Sequence, residues 1–375
     1  MNTIFQYLDW RGDLNINIAK FNNIDALILA RFSYLPFDNI VPREIDKPIT
    51  IKEAYKLFRK DKDLKDKLIL ENDYPLFKEL AKNERFRNMK LYTYVNDVDE
   101  KSEKQFSAIT IDTLDNNIFV SFRGTDSTLT GWKEDFNMSF MDVVPAQIES
   151  KNYLEKISGN FNLPIRVAGH SKGGNLAIYS SSFTSKKVQD KIKKVYNFDG
   201  PGLNPILIKE KGYRNVLDKI HTFLPQSSIV GILLEHEEDY SVIHSYEDGL
   251  TQHDIYTWEV MRSDFVYLNK VSSDSVFIDS TIRNWLANVD EEKRSQFFDA
   301  IFEIFEIFEI NNKTSIDVLN TSWLKAAKIV FSSYKYLDDE SKKMISEIFS
   351  LLIKSATDNI DLLTPKISIF NKKKD

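Results

Sequence analysis

The hydrophobic pattern changes period along the chain. Between Ile24 and Tyr34 apolar residues recur at helical spacing, and Pro36, Pro42 and Pro48 then interrupt them. Over 51–80 charges alternate with Leu, Phe and Tyr, as on a pair of surface helices. From Met89 the period shortens. The β-branched and aromatic runs at 91–95, 106–111 and 117–122, separated by Asp- and Asn-containing turns, predict three strands. Beyond them the pattern alternates. Helices are predicted over 150–161, 175–182 and 206–217, and strands over 164–168, 194–198 and 219–224. Strands alternating with helices imply parallel strands with helical crossovers, hence a doubly wound α/β sheet. After about residue 280 the strands stop, and three helices are predicted over 291–310, 323–336 and 338–356. The expected organisation is a helical segment over 1–85 packed on a core, an α/β core over 86–280, and an all-helical region over 281–375.

Composition narrows the function classes. The 375 residues are 42% hydrophobic and 28% charged, ordinary globular proportions for a chain able to bury a large core. A net charge of −6 argues against nucleic acid as the main partner, since phosphate binding calls for clustered Lys and Arg. The chain has no Cys and only five His, at 170, 221, 236, 244 and 253. It has no HExxH or clustered-His motif, so neither metal nor cofactor is expected. The first residues lack the basic start and apolar run of a signal peptide, and no stretch is apolar enough to span a bilayer. A cytoplasmic protein is the expectation.

Candidate chemistry sits between the strand at 164–168 and the helix that follows. Gly169-His170-Ser171-Lys172-Gly173 is a Gly-x-Ser-x-Gly pentapeptide in a strand-to-helix turn. Such a turn holds the serine at the strand end, and side chains at the flanking glycines would collide across it. The turn presents Oγ of Ser171 to a base. It also places the Lys172 N–H at the positive end of a helix, where an oxyanion can bind. Upstream, Phe122-Arg123-Gly124-Thr125 ends a strand, and Thr125 can offer its N–H or hydroxyl as the second donor. Arg123 and Asp135 are candidates to pair and brace that loop. The fold's chain order of serine, acid, histidine leaves His253 and His244 as candidate bases. His170 adjoins the nucleophile and is poorly directed, and His221 lies within a strand.

Gly169-His-Ser-Lys-Gly-Gly-Asn-Leu-Ala177 resembles the nucleophile elbow of class 3 lipases, which are α/β-hydrolases. Val120-Ser-Phe-Arg-Gly-Thr-Asp126 with Gly131-Trp-Lys-Glu-Asp135 resembles their strand and oxyanion loop. With Tyr7-Leu-Asp-Trp-Arg-Gly-Asp13 and Gln252-His-Asp254, the combination is similar to the bacterial Mbeg-like hydrolases over about residues 1–265. The resemblance favours His253 as base. Class 3 lipases carry their acid in the loop after the strand matching 219–224, but here that loop reads Pro225-Gln-Ser-Ser-Ile-Val-Gly231. Asp199, at the preceding strand end, becomes the candidate acid, as in some lipases of this fold, with Glu235 and Asp239 in reserve. The implied substrate is a lipid or small acyl ester, with transient contact to a membrane surface. A short-chain carboxylesterase or thioesterase is a second reading. A binding protein that kept the elbow and lost activity is a third, motivated by the missing loop acid.

Overall fold

A computed structural model describes residues 1–99, 101–126, 131, 134–135, 137–138, 141–290, 292–294, 296–297 and 339–363. The predicted helices over 291–310 and 323–336 lie largely outside this set.

Eight successive strands line up in one sheet. They are β1 (Ile49–Thr50), β2 (Lys90–Asp99), β3 (Lys104–Asp112), β4 (Ile118–Phe122), β5 (Ile165–His170), β6 (Ile192–Phe198), β7 (Ile220–Pro225) and β8 (Tyr240–Ile243). A ninth, Tyr267–Leu268, closes the β8 edge. Pairing is antiparallel from β1 to β4 and parallel from β4 to β8. The switch to parallel pairing follows from helical crossovers, which return the chain to the same end of the sheet. Pro145–Asn160 connects β4 to β5, and Lys172–Phe183 starts the connection from β5 to β6.

Every residue of β4 and β5 is buried, as expected of central strands covered on both faces. Alternate residues feed two separate cores. Ile109, Ile111, Phe119, Ala168 and Phe198 face the core built with residues from the first 89 positions. Ala108, Val120, Phe122, Val167 and Val195 face the helices at 145–160 and 172–183. The first segment therefore forms one whole layer over the sheet. Its helix Asn23–Phe32 is capped by Asn22, whose side chain accepts from the amides of Ile24 and Asp25. Residues 24–32 of that helix are all buried, including two ions that find partners inside. Arg31 forks onto Asp73 at 2.7 and 2.6 Å, and Asp25 accepts from Arg85 at 2.7 Å.

The six predicted strands are present, each within a few residues of its expected bounds. Over 206–217 the expected single helix is instead a 3-10 turn, Leu207–Lys209, and a short helix, Lys211–Arg214, with a further 3-10 turn at Leu217–Lys219. Gly212 seats its Cα against the Ser182 carbonyl, and Tyr213 turns inward to donate to Glu238 at 2.6 Å. Those tertiary contacts outweigh the weak helical pattern. At the far end Ser273–Asn288 packs on Asp339–Asp358, where the Trp285 indole N–H donates to the Ile348 carbonyl at 3.2 Å. Among the described residues, no helix is long and apolar enough to cross a membrane. An open, mostly parallel sheet between helical layers, with a strand–serine–helix turn at its centre, is the α/β-hydrolase fold.

Candidate active site

Ser171 stands between β5 and the helix Lys172–Phe183 with φ 58° and ψ −136°, a conformation that L residues rarely adopt. Three contacts hold it there. Its amide donates to the Phe198 carbonyl at 3.0 Å, the Gly174 amide donates to the Ser171 carbonyl at 2.8 Å, and the flanking glycines admit the chain. A Cβ on Gly169 would lie 2.0 Å from the Gly173 carbonyl group, and one on Gly173 would lie 2.2 Å from the Phe122 carbonyl oxygen. Both clashes are against backbone that cannot yield. The same crowding brings the Phe122–Thr125 loop against the elbow. A Cβ on Gly124 would meet the Tyr34 hydroxyl at 2.1 Å and the Ser171 Cβ at 3.0 Å.

Asp199 follows β6 and also has positive φ, at 49°. Asn197 shapes its turn, accepting from the Gly200 amide and donating to the Gly200 carbonyl, each at 2.9 Å. The Asp199 carboxylate is buried and doubly bonded. Its Oδ2 meets His253 Nδ1 at 2.7 Å, and its Oδ1 accepts from the Ser228 hydroxyl at 2.5 Å. The Gly231 amide donates to Ser228 Oγ at 3.0 Å, so the serine's own hydrogen is directed at the acid. Ser228 belongs to the loop after β7, which carries serines at the place where the resemblance implies a carboxylate. That loop supplies a hydroxyl to Asp199 at the end of the neighbouring strand.

His253 ends a 3-10 turn, Gly249–His253, with its side chain part exposed. Gln252 anchors the turn, accepting from the Ser227 amide at 2.9 Å while its carbonyl accepts from the Trp258 indole at 2.8 Å. Asp254 turns away and caps the next turn through the Tyr256 amide. The other histidines have separate partners. His244 lies 2.6 Å from Glu259, His236 lies 2.9 Å from Glu238, and His221 remains within β7. Glu235 is bound by Arg283 and does not meet His253. The acid and base candidates are thus brought together. Among the described residues, Ser171 Oγ has no hydrogen bond to either; the ring of the adjoining His170 lies 4.5 Å from that of His253.

On the opposite flank two amides, those of Thr125 and Lys172, have no acceptor among the described residues. The Thr125 hydroxyl is already committed to Asp135. The Lys172 side chain is fully buried. Its ammonium donates to Gln105 Oε1 at 2.6 Å, to the Gln105 carbonyl at 3.0 Å and to Glu134 at 2.9 Å. Glu134 accepts further bonds from the Gln105 and Ala146 amides. The anticipated Arg123–Asp135 pair does not form. Arg123 instead bonds Asp126 and Asn96, each at 3.1 Å, because Asp135 faces Thr125 and the Lys172 ammonium. Burial pushes the Asp135 carboxyl up to about 6, against the opposing pull of Lys172 and the Thr125 hydroxyl.

The fold places the chain among the α/β-hydrolases. Residues 80–303 match the Mbeg1-like family model, and the chain belongs to that family. Three solved structures are similar to parts of the chain. Lipase II from Rhizopus niveus is 13% identical, covering 70% of this chain and 87% of its own, with a TM-score of 0.37. A mutant form of MDLA from Penicillium cyclopium is 13% identical, covering 71% and 85%, at 0.39. The Rhizomucor miehei lipase–propeptide complex is 17% identical, covering 51% and 65%, at 0.34. No curated protein matches in sequence.

Proposed function

We propose that the chain is a serine ester hydrolase working through an acyl-enzyme on Ser171, with His253 as base and Asp199 as acid. The observation that carries this reading is the 2.7 Å contact between His253 Nδ1 and a buried Asp199, in a fold whose serine elbow has positive φ. With Nδ1 committed to the acid, Nε2 is the nitrogen left to receive the Ser171 proton as Oγ attacks the ester carbonyl. Nε2 closes on Oγ when substrate is bound, as catalytic hydrogen bonds do in hydrolases with loose apo geometry. The carbonyl oxygen becomes an oxyanion between the Thr125 and Lys172 amides. The alcohol leaves with the proton from His253. Water then repeats the sequence on the acyl-enzyme, releasing acid and restoring Ser171. Engagement of the Thr125 hydroxyl by Asp135 supports the N–H as the working donor.

The substrate we assign is an acyl ester of a lipid, on the strength of family resemblance. Neither a metal nor a cofactor takes part in this scheme. The test is labelling with a fluorophosphonate probe. Wild type should label and Ser171→Ala should not, with ester hydrolysis falling by about six orders of magnitude if the serine acts as in known triads. Equal labelling of both proteins overturns the assignment. Turnover of long-chain ester emulsions against soluble short-chain esters then separates lipase from esterase.

A further inference from the structure

We propose that His170, the residue before the nucleophile, is a positioning residue that fixes the main chain of the base. The proposal rests on the reading of Ser171 and His253 just given. His170 closes β5 and is buried at 4% exposure. Both ring nitrogens are used. Nε2 lies 2.8 Å from the His253 carbonyl oxygen, and Nδ1 lies 3.1 Å from the Tyr34 hydroxyl.

The chemistry of the partners fixes the tautomer. A carbonyl only accepts, so Nε2 carries the hydrogen and donates it. In a neutral ring Nδ1 is then a bare acceptor, and the single hydrogen of the Tyr34 hydroxyl lies within reach of both Nδ1 and the His170 carbonyl oxygen, each at 3.1 Å. Burial, with help from His253 and Arg31, holds His170 well below the usual histidine range, so the ring stays neutral beside a base that becomes cationic in turnover. The rings of His170 and His253 lie 4.5 Å apart, tilted at 33° to each other. The base is thereby held at its carbonyl and packed against the tilted His170 ring, while Asp199 holds Nδ1.

The grip reaches into the first layer of the fold. Tyr34 follows the helix Asn23–Phe32 and packs under the Arg31 guanidinium, 4.2 Å from its ring centre. Arg31 binds Asp73, which also accepts from the hydroxyl of Tyr256, three residues beyond the base. One buried polar chain therefore runs from the N-terminal layer to both sides of the His253 turn. Most of this chain lies before residue 80, where the family match begins.

The full-length chain carries the test. His170→Phe keeps a ring for stacking and removes both polar contacts, while His170→Gln restores an amide donor near the place of Nε2. Fluorophosphonate labelling and kcat on p-nitrophenyl butyrate should fall about ten- to a hundredfold in His170→Phe, the cost of a base displaced by about an ångström. KM should stay within about twofold, and His170→Gln should recover most of the loss. Nitrogen-15 histidine spectra of the wild type give a readout independent of activity and of any folding defect. They should show an Nε2–H tautomer at His170 that does not titrate between about pH 5 and about pH 8. An Nδ1–H tautomer, or full-rate labelling of both variants beside a labelled wild type, sinks the positioning role alone. If the wild type takes no label at Ser171, the hydrolase reading falls and this inference falls with it.

Discussion

The two flanks of Ser171 are held by opposite means. On the base flank, contacts around the Asp199–His253 pair come from neutral groups: the Ser228 hydroxyl and the Tyr34–His170 pair. On the flank of the proposed oxyanion donors, a buried lysine and two acidic side chains support the loop. Loss of a neutral donor to a buried carboxylate costs about 1.5–3 kcal/mol, whereas breaking a buried ion pair at one partner costs about 3–5 kcal/mol. Lys172 is the sharpest place to break the symmetry, because its amide is a proposed oxyanion donor and its side chain holds the loop bearing the other. Lys172→Met should leave Glu134 charged and unpaired, costing about 3–5 kcal/mol in urea unfolding. Adding Glu134→Gln should recover a substantial part of that loss. A single variant within about 1 kcal/mol of wild type would show that the flanks do not differ in this way.

On the base flank the corresponding change is smaller. Ser228→Ala removes one hydrogen bond to a buried carboxylate and leaves the His253 contact in place. The expected cost is about 1.5–3 kcal/mol, seen as a lower urea midpoint at unchanged slope. A loss as large as that of Lys172→Met would erase the contrast.

The alternating periods of residues 89–224 predict six of the nine strands, each a short β-branched or aromatic run bounded by turn residues, but not the two-residue edge strands Ile49–Thr50 and Tyr267–Leu268. β8 was not foreseen. It is four residues long at Tyr240–Ile243 and follows an acidic stretch whose Glu238 is buried by Tyr213, Thr222 and His236, all distant or polar partners without local signature. The elbow was legible because its glycines answer to local sterics. The oxyanion loop was half legible: Gly124 and Thr125 follow from position, but the choice of Asp126 over Asp135 as the partner of Arg123 depends on where Lys172 points. His170 and Ser228 could not be read from pattern. Each acts through a residue more than twenty positions away, and a serine in a loop or a histidine beside a nucleophile has many other uses. The unfilled acid position after β7 was the one available hint, and it pointed to the loop that reaches Asp199.

The smallest predicted effect is one of pH, and it also separates the flanks. The Asp135 carboxyl is raised to about 6, so it binds a proton more tightly folded than unfolded. A group raised in this way contributes stability that is fully present below its unfolded value, near 4, and is lost as pH climbs through about 6. The gradient is at most about 1.4 kcal/mol per pH unit. Asp135→Asn removes the titrating group while keeping a polar partner for the Thr125 hydroxyl. Urea unfolding at a series of pH values should therefore show the variant gaining on wild type as pH rises from about 4 to about 7, with no further gain above that. Ser228→Ala, which leaves this carboxyl untouched, should run parallel to wild type over the same window. A wild type that instead gains on Asp135→Asn as pH rises would mean that Lys172 and Thr125 outweigh burial at Asp135, and that the ionic flank is stabilised by its charges.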